Sequence, residues 1–134
     1  MNVSRKRIIL SIIIVTFIFG LIVGTVYLKN VADYKKAVKE TTFDEINVSD
    51  VSDGIYIGEY DVNFIYAKVE VTVQNGKIID ISILEHKHER GKAAEAIIDE
   101  IVDEQRIDVD AISGATNSST VIKKAVENAL KSGL

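Results

Sequence analysis

The sequence predicts an α+β fold: a small antiparallel sheet in a hairpin meander, covered by two helices and preceded by one N-terminal transmembrane helix. Three observations carry this expectation. Residues 65–73 and 79–83 alternate apolar and polar side chains on either side of Asn75-Gly76, the period of half-buried strands. Two later segments carry apolar residues at helical spacing. Residues 8–28 form an apolar run without a charge.

That run comes first in the chain. Its 21 residues would extend about 31 Å as a helix, the thickness of a bilayer hydrocarbon core. A cleaved leader would have a shorter apolar region and a small-x-small site, and Gly24-Thr25-Val26-Tyr27-Leu28 offers none, so the segment reads as an uncleaved anchor. Arg5, Lys6 and Arg7 crowd its first turn whereas Lys29 alone touches the far end, which favours a cytoplasmic N-terminus and an extracytoplasmic domain. Gly20-Leu21-Ile22-Val23-Gly24 is a GxxxG through which two anchors could pack. The chain of 134 residues then divides into 1–7, the cytoplasmic N-terminus; 8–28, the anchor; 29–52, stalk and linker; and 53–134, the folded unit.

Val31, Tyr34 and Val38 follow at helical spacing among lysines, a short solvated stalk. Ile55–Tyr60 is a β-rich stretch. In the next strand Ile65, Ala67, Val69, Val71 and Val73 share a face, and after Asn75-Gly76 so do Ile79, Ile81 and Ile83. A two-residue loop would mix the two faces, so the expected loop is Gln74-Asn75-Gly76, pairing Val73 with Lys77 and Val71 with Ile79. Ala94, Ile97, Ile98 and Ile101 then mark an amphipathic helix over Lys92–Glu104. Val121, Ile122, Ala125, Val126, Ala129 and Leu130 mark a second, stopped by Gly133.

The charge balance excludes several functions. All 20 acidic residues and 13 of the 16 Lys and Arg lie after Leu28, an excess of seven negative charges that argues against nucleic acid as a partner. No cysteine means no disulfide, thiolate site or thiol nucleophile. Asp99, Glu100, Asp103 and Glu104 have no calcium-loop spacing and form the wet face of their helix. His86 and His88 stand two apart at a strand end, but no third ligand accompanies them in the sequence, so no metal ligand is assigned. Tyr56, Tyr60, Phe64 and Tyr66 read as strand packing before ring stacking.

Chemistry concentrates between Ser113 and Thr120, where five hydroxyls, a glycine and an asparagine precede a helix. The unpaired amides and dipole of a helix start suit an anion, and phosphate is the natural guest. The plainer reading is that Ser118 or Ser119 caps the helix. Asp110-Ala111-Ile112-Ser113-Gly114-Ala115-Thr116 resembles the flavinylation motif, Asp-x-x-Ser/Thr-Gly-Ala-Thr, of the FMN-binding domain family, which includes flavin-carrying subunits of sodium-pumping quinone reductases and Rnf complexes. The similarity extends to Asp53-Gly54-Ile55-Tyr56-Ile57-Gly58, His88-Glu89-Arg90-Gly91 and Ala125-Val126-Glu127-Asn128-Ala129-Leu130.

The resemblance implies that a flavin transferase joins FMN through its phosphate to Thr116. Ser113, Gly114, Ala115, Asn117, Ser118 and Ser119 would then line the phosphate end, the amides of 117–119 would carry its charge, and Asp110 would be read by the transferase. Together with the anchor read from residues 8–28, it points to a single-pass cell-membrane protein, embedded in lipid, that relays electrons from a membrane donor to an extracytoplasmic acceptor; with no nicotinamide site, catalytic acid-base pair or room for a large substrate in the sequence, it reads as a carrier more than an enzyme. The chain is shorter than the respiratory subunits, and their threonine-glycine-rich loop is reduced to Glu89-Arg90-Gly91. The alternative is a module that binds FMN or another phosphate ligand non-covalently for sensing or interaction.

Overall fold

The computed structural model describes residues 2–88 and 90–134. Its elements are α1 (Asn2–Glu40), β1 (Gly54–Asp61), β2 (Tyr66–Gln74), β3 (Lys77–Lys87), α2 (Ile97–Glu104) and α3 (Thr116–Lys131), with 3-10 turns at Val48–Asp50 and Lys92–Ala96. They form two compact units, Met1–Asp33 and Tyr34–Leu134.

The first unit is the larger part of α1, a helix long and apolar enough to cross a membrane. Ile8 through Leu28 leave their apolar side chains exposed. The hydroxyls of Ser11, Thr16 and Thr25 donate to the carbonyls of Arg7, Ile12 and Leu21, four residues back. Each polar interruption is thereby satisfied inside the helix, as a hydrocarbon surrounding requires.

In the second unit the three strands form an antiparallel meander in the order β1-β2-β3. Ala67, Val69, Val71 and Val73 of the central strand are buried, as their alternation predicts. On this inner face α3 lies over β1 and β2, and α2 over β3. The approach of α3 is close at Gly58, where a Cβ would stand 2.1 Å from the Ala125 carbonyl oxygen. No side chain fits there.

The hairpin departs from the expected register. Asn75 (φ 53°) and Gly76 (φ 72°) form a two-residue turn that pairs Gln74 with Lys77 and Val73 with Ile78. Two positive φ values match the strand twist in a primed turn. The faces are reconciled by a bulge: Ile79 is left unpaired and turns outward, half exposed, so Val71 meets Ile81 and Val69 meets Ile83. A second irregularity skips Leu84 and sets His86 opposite buried Ala67. That skip turns the His86 side chain inward.

The stretch 29–52, expected as stalk and linker, supplies Val38, Val48 and Val51 to the core. It is held to α3 by charge. The buried Glu127 carboxylate accepts from Lys124 and Lys131, each at 2.8 Å, and from the Asp44 amide. Lys131 also pairs with Asp44, and Lys124 donates to the Thr42 carbonyl. Opposite charges and donors fill every side of Glu127, which is what a buried carboxylate needs. At the end of α2, Gln105 takes a left-handed φ of 54° and its side-chain amide bonds both backbone groups of Ile78.

Candidate functional site

Beyond α2 the chain runs irregularly through residues 106–112, plugged into the core by Ile107 and Val109. Lys123 of α3 reaches back to the Val109 carbonyl at 2.8 Å and fixes this run. The chain then turns sharply. Ala115 donates to the Ile112 carbonyl, with Gly114 at φ 77° in the third position, where only a residue without a Cβ is unstrained. An added Cβ on Gly114 would meet nothing within 4 Å, so the space above the turn is open.

Helix α3 begins at Thr116, earlier than the hydroxyl-rich loop suggested, and its cap residue is Ala115, with no side-chain cap. The capping role considered for Ser118 or Ser119 is therefore not what these hydroxyls do. Ser119 is buried: its Oγ accepts from the Ile112 amide at 3.0 Å and donates to the Ala115 carbonyl at 2.8 Å. It latches the turn onto the helix. The Ser119 amide already donates to Ala115, so the amides without an intrahelical acceptor are those of Thr116, Asn117 and Ser118, one residue earlier than expected.

Those amides border a cavity of about 370 Å³. Gly114, Ala115, Thr116, Asn117 and Ser118 form one wall, Arg90 and Gly91 another, and Tyr34, Phe64 and Ile65 a third. The structure thus brings five of the eight sequence-predicted site residues together on the cavity. Ser119 lies beneath it, while Ser113 and Asp110 are exposed residues of the approach and are not among its lining. The Thr116 side chain is exposed, and its hydroxyl makes no hydrogen bond among the described residues.

Sequence reasoning missed the two other walls. Arg90 is exposed and has no ion-pair partner among the described residues, so the cavity has a cation to offer. Gly91 sits hard against α3: a Cβ there would lie 1.9 Å from Ser118 Oγ. Tyr34 and Phe64 meet edge to face with ring centres 5.2 Å apart. Of the strand aromatics, only Phe64 reaches the cavity. The hydroxyls of Tyr56, Tyr60 and Tyr66 are taken up by Ser52, Thr41 and Glu59, and the Glu59 carboxylate pushes the Tyr66 phenol up to about 12. The signal available was the segment Arg90-Gly91, which the resemblance had marked without giving it a role.

Beside Gly91 stand the two histidines. His88 Nδ1 accepts from the Gly91 amide at 3.0 Å, and its ring lies 4.5 Å from that of His86. His86 Nδ1 is 3.1 Å from Oε1 of Glu95, whose other oxygen takes Lys92 at 2.7 Å. Burial holds the His86 imidazole below its ordinary pKa despite Glu95, and Lys92 lowers that of Glu95, so a neutral imidazole faces a carboxylate. Glu89 lies outside the described residues.

Residues 66–131 match the family model described as FMN-binding domain, a stretch running from the start of β2 to the end of α3. No curated protein matches the chain.

Proposed function

Since residues 66–131 form a domain of the FMN-binding family, we propose that this protein is a membrane-anchored flavoprotein carrying FMN through a phosphoester on Thr116 and relaying electrons outside the cytoplasm. The observation that carries the reading is Thr116 itself: an exposed hydroxyl on the first residue of α3, at a cavity lined by the three residues whose amides have no intrahelical acceptor.

The residues present suit the cofactor. The amides of Thr116, Asn117 and Ser118, with the helix dipole, would hold the phosphate. Arg90 supplies a full positive charge on the adjoining wall, and Tyr34, Phe64 and Ile65 give an apolar surface for a planar ring. Gly114 lets the backbone approach without a side chain in the way. FMN, when bound, supplies reversible one- and two-electron chemistry, and the chain's part is to orient it and limit its exposure to water. Attachment would require a flavin transferase and a flavin whose phosphate is activated as an anhydride; Thr116 would supply the nucleophilic oxygen that displaces the anhydride's other half, its proton passing to the leaving phosphate.

A tether suits an extracytoplasmic place, where a dissociated cofactor would be lost to dilution. Arg5, Lys6 and Arg7 support that orientation, with a membrane donor on one side of the exchange and an outside acceptor on the other. A reporter fused after Leu134 reads the orientation directly. The test of the linkage is in-gel flavin fluorescence and intact mass of the denatured chain co-expressed with a flavin transferase, beside Thr116→Ala. Fluorescence and an FMN mass increment lost in the variant are expected. A flavin that leaves on denaturation would replace the tether with reversible binding, and a colourless parent would overturn both.

A further inference from the structure

We propose that His86, His88 and Glu95 form a binding site for one divalent transition-metal ion of the zinc type. The three residues come from two elements, the end of β3 and the 3-10 turn before α2, and each offers a donor atom within 4.8 Å of the other two. Glu95 is the third ligand that the sequence did not reveal.

Two features go beyond proximity. His86 Nδ1 and Glu95 Oε1 are 3.1 Å apart, close to the separation of about 3.3 Å between two donors bound at about 2.0–2.2 Å to a tetrahedral ion. The His86 side chain is also only 2 % exposed, so its Nδ1 is a ligand already withdrawn from water.

The chemistry of the set selects the ion. Two imidazoles and one carboxylate suit zinc and its borderline neighbours, whereas calcium and magnesium want oxygen alone. His88 is half-buried at the strand end, and its Nδ1, which accepts from the Gly91 amide, would turn to the ion. It gives up the Gly91 amide in doing so. Lys92 keeps Oε2 of Glu95 or swings away, since its own side chain is 78 % exposed. Three protein ligands leave a fourth position open for water or a ligand.

The test uses the full chain in detergent micelles, without a histidine tag, stripped with a chelator and titrated with Zn²⁺ by calorimetry. One equivalent is expected to bind, at least tenfold more weakly in His88→Ala and in Glu95→Gln. X-ray absorption of the wild-type zinc complex tests the site without any variant: the chain has two histidines, so two imidazoles around zinc can only be His86 and His88. Absence of binding, unchanged affinity in the folded variants, or a zinc shell without imidazole would overturn the proposal.

Discussion

Replacing Gly91 by alanine tests how closely two walls of the cavity, the loop before α2 and the first turn of α3, are packed together. The new Cβ would stand 1.9 Å from Ser118 Oγ and 2.6 Å from Ser118 Cβ. The hydroxyl can rotate away, but Ser118 Cβ is fixed to the helix. An ordinary carbon contact of about 3.5 Å therefore demands that the loop and helix part by about 1 Å. Overpacking of that kind costs about 1–3 kcal/mol. Ser118→Gly removes both offending atoms, and the nearest remaining neighbour is His88 Cβ at 3.2 Å. Alone it should cost about 0.5 kcal/mol in helix propensity. The double variant should then be more stable than the sum of the single changes by about 1–2 kcal/mol. Urea denaturation of the micelle-bound chain, followed by tyrosine fluorescence, measures this, since four of the five tyrosines lie in the folded unit. Flavin loading should fall in Gly91→Ala and return in the double variant. Additive stabilities would refute the packing argument, whatever the loading does.

Ser119→Ala should cost about 1–3 kcal/mol, because it leaves the buried-side Ile112 amide without its acceptor; a shift in the denaturation midpoint checks it, and flavin loading should fall with it. Gly114→Ala meets no atom within 4 Å, so its cost should be the backbone cost of a left-handed φ alone, about 1–2 kcal/mol in the same assay. Glu127→Ala removes the acceptor that Lys124, Lys131 and the Asp44 amide share, leaving residues 41–44 tied to α3 only through Lys131–Asp44 and Lys124–Thr42, and should cost about 1–3 kcal/mol; proteolysis near Thr42 should speed up. His86 gives a pH signature in chelator. Its folded pKa is depressed by burial, so below the unfolded value of about 6.5 the unfolded chain takes up a proton that the folded chain refuses. Stability should be full above that pH and fall as pH drops through it, and His86→Gln should flatten the curve in that window.

Much of the architecture was legible because its signals are local. Alternation named β2's buried face, and spacing named Ile97 and Ile101 of α2 and the buried stripe of α3. The hairpin register was not legible, although its turn residues were. The argument against a two-residue loop assumed unbroken pairing, and one bulge at Ile79 removes the conflict. Likewise nothing near Leu84 announces the second irregularity, and without it His86 would face outward, away from Glu95. The Ser113–Thr120 stretch was legible as a candidate anion site at a helix start, yet its division of labour was not. Ser119 turned out to hold the loop together, which follows from the helix beginning at Thr116 and not after it. Tyr34 and Phe64 reach the cavity from elements far apart in the chain, a juxtaposition no local pattern carries.

The charge of the folded part and the charge of its cavity point in opposite directions, and the difference bears on what the cavity can hold. Residues after Leu28 carry an excess of seven negative charges, which at long range repels an anion. At short range the balance reverses. The start of α3 contributes about half a positive charge through amides that have no intrahelical acceptor, and Arg90 contributes a whole one on the adjoining wall. A phosphate diester has one negative charge and a free monoester nearly two, so a site of about one and a half positive charges balances either to within about half a charge. Salt screens the distant acidic residues over about 10 Å but barely touches groups in contact. The same arithmetic explains why a Thr116-linked diester needs no lysine beside it: removing Arg90 should leave the amides to hold the phosphate more loosely, and Arg90→Gln should raise the salt sensitivity of flavin fluorescence in the native chain while leaving the covalent mass unchanged. An unaltered salt response would mean that Arg90 faces the cavity without acting on the phosphate.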